Sequence, residues 1–181
     1  MVIGLHAELG RGITMNDDFE FFNERLFYDE KTGIFYWRDV DIVGGKARGK
    51  QAGTVNSKGY IIINVKKDGK QSQFRAHRLA WLFVNGHFPE IGIDHINGDK
   101  LDNRMENLRE ASILENGQNR RKASSHNKLG VLGVRVDKYG KYIASIRVNG
   151  KVKFIGRFNE IAKASDAYIQ AKRELHSFCT I

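Results

Sequence analysis

The chain has 181 residues, with 30 Lys and Arg against 21 Asp and Glu, a formal net charge of +9 and a sequence pI near 9.7. That length holds one medium domain or two small ones, and an apolar content of 41% supplies real cores, which excludes wholesale disorder. The longest apolar run, 79–84, is too short to cross a bilayer, and the single Cys179 excludes an internal disulfide, a Cys-rich zinc site and a redox pair. With no secretory pattern at the N-terminus, a cytoplasmic protein with no membrane partner is expected, and nucleic acid is the first partner to consider.

Residues 1–14 have no clear period and read as a frayed leader, with Met15 a candidate natural start. Asn16, Asp17 and Asp18 form a cap and acidic first turn, and Phe19, Phe22 and Leu26 at helical spacing predict a helix to about Tyr28. Lys31-Thr32-Gly33 then turns the chain into an aromatic strand, 34–37. Strands 60–65 and 71–76 flank Asp68-Gly69, a strong hairpin signal, and 78–84 reads as a short helix ended by Gly86. A strand at 91–95, a polar loop at 97–103 and a strand at 108–110 lead to Ser112-Ile113-Leu114-Glu115, a capping box that opens a helix to about Lys122. Residues 123–130 are small and polar and read as a linker. Beyond it, 131–136, 141–148 and 151–158 are strands, the last two joined by Asn149-Gly150 as a type I′ turn. Asn159-Glu160 caps a closing helix whose apolar stripe is Ile161, Ala164, Tyr168, Ala171 and Leu175.

The charge is distributed unevenly along this order. Residues 43–78 hold nine basic groups against one acidic, 79–119 three against seven, and 120–157 eleven against one. The two basic blocks suit phosphate backbones, while the acidic block between them gathers Asp94, His95, Asn107 and Asn116 from three different elements. Hydrolysis of a phosphodiester needs a base for water and a cation for the phosphate and leaving oxygen. Asp94 can hold the metal while the adjacent imidazole of His95, titrating near neutrality, faces the water. Asn116 can add a neutral oxygen ligand, and Asn107 is placed to hold the other ring nitrogen of His95. Two oxygen ligands suit one divalent ion, Mg²⁺ or Mn²⁺, and argue against structural zinc. Taken singly, an Asp-His pair is more often structural, and Asn107 and Asn116 also fit turn and helix-surface roles. Gly117, about 1 kcal/mol worse than alanine inside a helix, has no assigned role.

AHRLAW, IDHINGDKLDNRMENLREAS and ENGQNRR together resemble the HNH endonucleases, in the subgroup of phage homing enzymes with a ββα-metal centre. The resemblance covers at least 59–122 and implies Asp94 and Asn116 as metal ligands, His95 as general base and Asn107 as its orienting partner. His77 matches the subgroup's upstream histidine, for packing support of the site or contact with phosphate. Paired CxxC ribbons of other HNH enzymes are missing, so the scaffold rests on a hydrophobic core.

Alternation along the C-terminal strands separates two faces. Leu132, Val134, Val136, Tyr142, Ala144, Ile146, Val148, Val152, Phe154 and Phe158 are expected against the helix. Arg135, Lys141, Ser145, Arg147, Lys151, Lys153 and Arg157 are expected on the other face, with Ile143 and Ile155 between them. Such a sheet can enter a major groove, Arg on guanine edges and Lys on phosphates. Residues 130–176 resemble the plant ethylene-response-factor (Apetala-type) DNA-binding domain in its bacterial and phage form, which implies DNA reading by the sheet, with Arg135, Arg147 and Arg157 as leading contacts. Arg120 and Arg121, at the end of the preceding helix, join the DNA-binding set.

The expected fold is therefore α+β: a ββα-metal HNH nuclease module followed by a three-stranded antiparallel sheet packed on one C-terminal helix. Its expected domains are 1–122, with the metal core at about 91–122, and 131–181, joined by 123–130. The expected function is a metal-dependent endonuclease on double-stranded DNA, and the alternative is a sequence-specific DNA-binding protein with a vestigial nuclease module. One centre per chain cuts one strand most simply, so both a monomer and a homodimer stay open.

Overall fold

The computed structural model describes residues 15–38, 41–42, 45–46, 48–67 and 69–181, with backbone alone at 15–16, 41–42 and 45–46. The expected leader 1–14, the capping side chain of Asn16 and Asp68 of the hairpin turn lie outside that description. Packing divides the chain into two compact units, one running to Pro89 with Asn103–Met105, the other made of Glu90–Asp102 and Glu106–Ile181.

In the first unit, α1 (Met15–Asn23) leads into β1 (Leu26–Asp29), which pairs antiparallel with β2 (Ile34–Trp37). The helix stops short of the expected Tyr28 because Leu26 and Tyr28 are buried while Phe27 is exposed, a two-residue period that suits a strand. Tyr28 stacks on Phe35 and donates its hydroxyl to the Asn103 carbonyl at 2.7 Å. Gly33 sits at φ +72°, and a Cβ there would lie 2.4 Å from the Arg104 amide nitrogen, so only glycine fits. A short pair, β3 (Asp41–Ile42) with β4 (Gly45–Lys46), precedes a three-stranded sheet of β5 (Thr54–Val55), β6 (Ile61–Lys67) and β7 (Lys70–Arg75). Helix α2 (Ala76–Asn85) begins two residues before its expected start and ends on Gly86 in the left-handed conformation, its amide bonded to the Leu82 carbonyl. Edge-to-face pairs of Phe22 with Phe74 and of Phe35 with Phe83 fill this core.

In the second unit, β8 (Gly92–His95) pairs antiparallel with β9 (Leu108–Ala111), a 3₁₀ turn at Met105–Asn107 ending the loop between them. Ser112 caps α3 (Ile113–Gln118) with both reciprocal bonds of the capping box present. The helix ends four residues before the expected Lys122 because Asn119, its cap, turns its carboxamide inward onto β8. Residues 123–130 are not a free linker: the Asn127 carboxamide donates to the Val131 and Val134 carbonyls and accepts from the Leu129 amide. Strands β10 (Val134–Val136), β11 (Tyr142–Val148) and β12 (Lys151–Phe158) form an antiparallel sheet backed by α4 (Ile161–Leu175). Asn149 and Gly150 both have positive φ, 50° and 78°, as a type I′ turn requires.

Four expectations for this sheet and helix are corrected. On β12 a bulge makes Ile155 an extra residue, since Ala144 pairs with Gly156 but Ser145 pairs with Phe154. One extra residue exchanges the faces of everything beyond it. Val152 and Phe154 therefore join Arg147 and Ser145 on the outer face, 61% and 66% exposed, while Ile155 packs on the core of Val134, Ala144, Ile146, Ala164 and Tyr168. Val136, also expected inside, is exposed. On α4 the buried stripe is Ala164, Tyr168 and Lys172 rather than one ending at Leu175. Neither side chain of Asn159-Glu160 caps the helix, because Asn159 accepts from Lys141 and Glu160 from Lys163. Among the described residues no helix is long and apolar enough to cross a membrane.

Candidate active site

Strand β8 buries Ile93, Asp94 and His95 in succession, with Asp94 4% and His95 5% exposed. A buried carboxylate needs partners, and the cross-strand register supplies one by setting Arg109 opposite Asp94. Arg109 donates to Oδ2 of Asp94 through Nε at 3.0 Å and Nη2 at 2.8 Å, a two-pronged ion pair. Asn119 adds a third donor to the same oxygen at 3.1 Å and also reaches the carbonyls of His95 and Ile96. Oδ1 of Asp94 accepts no hydrogen bond among the described residues.

Asn116 is fixed in the same manner. Its Nδ2 donates to the Ile93 carbonyl at 3.2 Å, one residue before Asp94, and its Oδ1 accepts nothing among the described residues. Each side chain is thus anchored through one atom, leaving a carboxylate oxygen and a carboxamide oxygen beside the same strand. That donor set fits a hard divalent cation whose remaining positions are filled by water and phosphate. Among the described residues no group of three or more His, Cys, Asp or Glu gathers as a metal cage.

Asn107 is the hub of the polar loop. Its Oδ1 accepts from the Asn97 amide and its Nδ2 donates to the Asp102 carbonyl, both at 2.8 Å, while its own carbonyl accepts from Ile96. An amide oxygen has two lone pairs, so the Asn97 bond does not exhaust it. His77 lies in the first unit, buried on α2, with its ring 5.3 Å from that of Tyr60 in an edge-on arrangement. Sequence reasoning missed Arg109 and Asn119. The signal for Arg109 was present, since pairing the two expected strands in register sets it across from Asp94.

The cations expected on DNA fall into two groups. Arg135 and Arg157 share the outer face of the C-terminal sheet with Ile143, and Arg147 lies there beside Ser145. Arg135 has no ionic or hydrogen-bonding partner among the described residues, whereas Arg147 donates to the Gly150 carbonyl and Arg157 to Asp137, over the ring of Tyr139. Burial works to raise the Asp137 pKa, but bonds from the Lys141 amide, Arg157 and the Tyr139 amide outweigh it and hold the carboxyl below its ordinary value. Lys151 and Lys153, opposite Val148 and Ile146, do not share the arginine face as expected. Lys141 is engaged by Asn159, and Arg121 by Ile96 and Thr180, while the Arg120 side chain is exposed.

Residues 74–118, which carry His77, Asp94, His95, Asn107 and Asn116, match the family model of the HNH endonucleases. This stretch is similar to the HNH endonucleases. A relative in Acanthamoeba polyphaga mimivirus, described as an uncharacterized HNH endonuclease, is 46% identical over 67 residues. The match covers 35% of this chain and 17% of the mimivirus protein. Among solved structures, the HNH homing endonuclease I-HmuI, studied for DNA binding and cleavage, is similar at 28% identity with a TM-score of 0.40, over 52% of this chain and 51% of that one. Arg109 falls inside the matched residues 74–118, whereas Asn119 and the whole C-terminal sheet lie beyond them.

Proposed function

We propose that the chain is a metal-dependent, site-directed DNA endonuclease. The observation that carries this is the pair Asp94 and Asn116 inside the matched residues 74–118, each tethered through one side-chain atom with Oδ1 left available. Those two oxygens would hold Mg²⁺ or Mn²⁺, which would neutralise charge on the phosphate and the departing 3′-oxygen. His95 takes a proton from water as the water oxygen bonds to phosphorus and the bond to the 3′-oxygen breaks. Asn107, braced by the loop, orients the His95 ring, and the resemblance to the HNH endonucleases gives His77 a supporting role. An Apetala-type C-terminal module, through Arg135, Arg147 and Arg157, brings double-stranded DNA to the centre. The protein works in the cytoplasm as a monomer that nicks or as a homodimer that cuts both strands.

The test is cleavage of a supercoiled plasmid carrying the duplex that the protein selects from a random pool. With Mg²⁺ or Mn²⁺ the wild type is expected to convert it to the nicked or linear form, and His95→Ala is expected to bind it and leave it intact. Wild-type protein that shifts the duplex in a gel yet never breaks a strand would establish a DNA-binding protein with a vestigial nuclease instead.

A further inference from the structure

The last residues of the chain reach back to the groups that orient Asp94. The Nη2 of Arg109 that bonds Asp94 also donates to the Phe178 carbonyl at 2.7 Å, and the guanidinium carbon lies 4.1 Å from the centre of the Phe178 ring. Phe178 therefore holds Arg109 at both its edge and its face. The second donor to Asp94, Asn119, is held in turn by Thr180. The Thr180 hydroxyl lies 2.6 Å from Oδ1 of Asn119 and 2.7 Å from the Ile96 carbonyl, its single proton within reach of both, and it accepts from Arg121. The Phe178 amide completes the contact by donating to Gln118, the last residue of the helix that carries Asn116.

These residues are far along the chain from the groups they hold, 69 positions for Phe178 and Arg109 and 61 for Thr180 and Asn119. They follow directly on α4, which is itself fixed to both neighbours: Lys172 donates to the Arg120 carbonyl just beyond α3, and His176 bonds the Arg147 carbonyl of the sheet.

We propose that Phe178 and Thr180 are positioning residues of the nuclease, clamping Arg109 and Asn119 onto Oδ2 of Asp94 so that Oδ1 stays aimed at the cation. This rests on the endonuclease reading above. Partners at this remove from a metal act by fixing the orientation of a ligand, and their loss typically weakens metal affinity by about 10- to 100-fold.

The test uses the full chain with Phe178→Ala, Thr180→Val and the double variant, and Asp94→Ala as reference. Mn²⁺ affinity is read by electron paramagnetic resonance of the free ion, alongside the Mg²⁺ dependence of plasmid nicking, the gel shift and a thermal melt. The expected result is Mn²⁺ affinity lower by about 10- to 100-fold in the double variant, with the half-saturating Mg²⁺ rising by the same factor and target binding unchanged. Thr180→Ser and Phe178→Tyr are expected to restore both metal readouts. Folded tail variants that bind Mn²⁺ as the wild type does overturn the clamp and leave the endonuclease reading standing. A double variant that does not fold transfers the same criterion to the single variants. Wild-type protein that neither binds Mn²⁺ at Asp94 nor nicks DNA overturns the endonuclease reading and the clamp together.

Discussion

The centre around Asp94 and the outer face of the C-terminal sheet are both polar, and they treat polarity in opposite ways. At the centre, Arg109, Asn119, Asn107 and Asn116 spend their hydrogen bonds on neighbouring groups of the protein, and two oxygens are left over. On the outer face Arg135 has no ionic or hydrogen-bonding partner among the described residues, and Phe154 lies exposed on the same face as Arg147 and Arg157, whose guanidinium groups each make one hydrogen bond among those residues. Chemistry needs side chains held before the substrate arrives, because reorganisation at the moment of reaction raises the barrier. Binding to a charged duplex needs the reverse, cations free to displace counterions from phosphates. On the proposed function the two regions divide cutting from gripping, and each can be broken separately.

His95→Ala is the largest expected effect. Loss of a general base lowers the nicking rate by about 10²- to 10⁴-fold, while the gel-shift affinity for the selected duplex stays at the wild-type level. A parallel loss of affinity would mean that the two regions are not separable. Next comes Arg135→Ala, which is expected to weaken binding by about 1–3 kcal/mol if the guanidinium reads a base, or to lower the salt slope by about one if it meets a phosphate. Arg157→Ala is expected to cost less, because Asp137 and Tyr139 already engage that guanidinium. Equal losses for Arg135 and Arg157 in salt-titrated gel shifts would remove the distinction between free and engaged cations.

The sequence made short-range features more legible than the face of the sheet, and the reason is range. The capping box, the Asn149-Gly150 turn and the left-handed Gly86 are set by residues within four positions of one another, so spacing alone reads them. The face of a strand depends on an uninterrupted two-residue period, and the extra Ile155 on β12 breaks that period, marked locally only by the adjacent Gly156, a residue that signals a bulge without saying which residue is extra. The same limit hid Lys172, whose place in an apolar stripe is allowed only because its amine meets the Arg120 carbonyl 52 residues away. Burial there holds the amine below its ordinary lysine value. Arg109 was within reach of register reasoning, whereas Phe178 and Thr180 were not, since nothing in a tail sequence says what it folds back upon.

Smaller effects test whether α3, a helix of only six residues, is held in place as firmly as its proposed role demands. Ser112→Ala removes the cap of the helix that carries Asn116 and is expected to lower stability by about 1 kcal/mol in urea unfolding, with a modest rise in the Mg²⁺ needed for nicking. A stability loss with no change in metal requirement would show that the tether from Asn116 to the Ile93 carbonyl is enough to place the ligand.

The least expected effect is a pH dependence from the other half of the same box. The Glu115 carboxyl accepts from the Ser112 side chain and the Ser112 amide, and these two bonds, the side-chain one foremost, hold its pKa below the ordinary 4.5. A carboxyl whose folded pKa is depressed stabilises the fold above the unfolded value, and that contribution fades as pH falls from about 4.5 through the folded value. Glu115→Gln is therefore expected to be less stable than the wild type at neutral pH and to converge on it in acid. In a Ser112→Ala background the bond from the hydroxyl is already gone, so the same substitution is expected to show less pH dependence. A gap between wild type and Glu115→Gln that stays constant from pH 7 into acid would assign the box a packing role and leave the Ser112–Glu115 bonds without a share in holding α3.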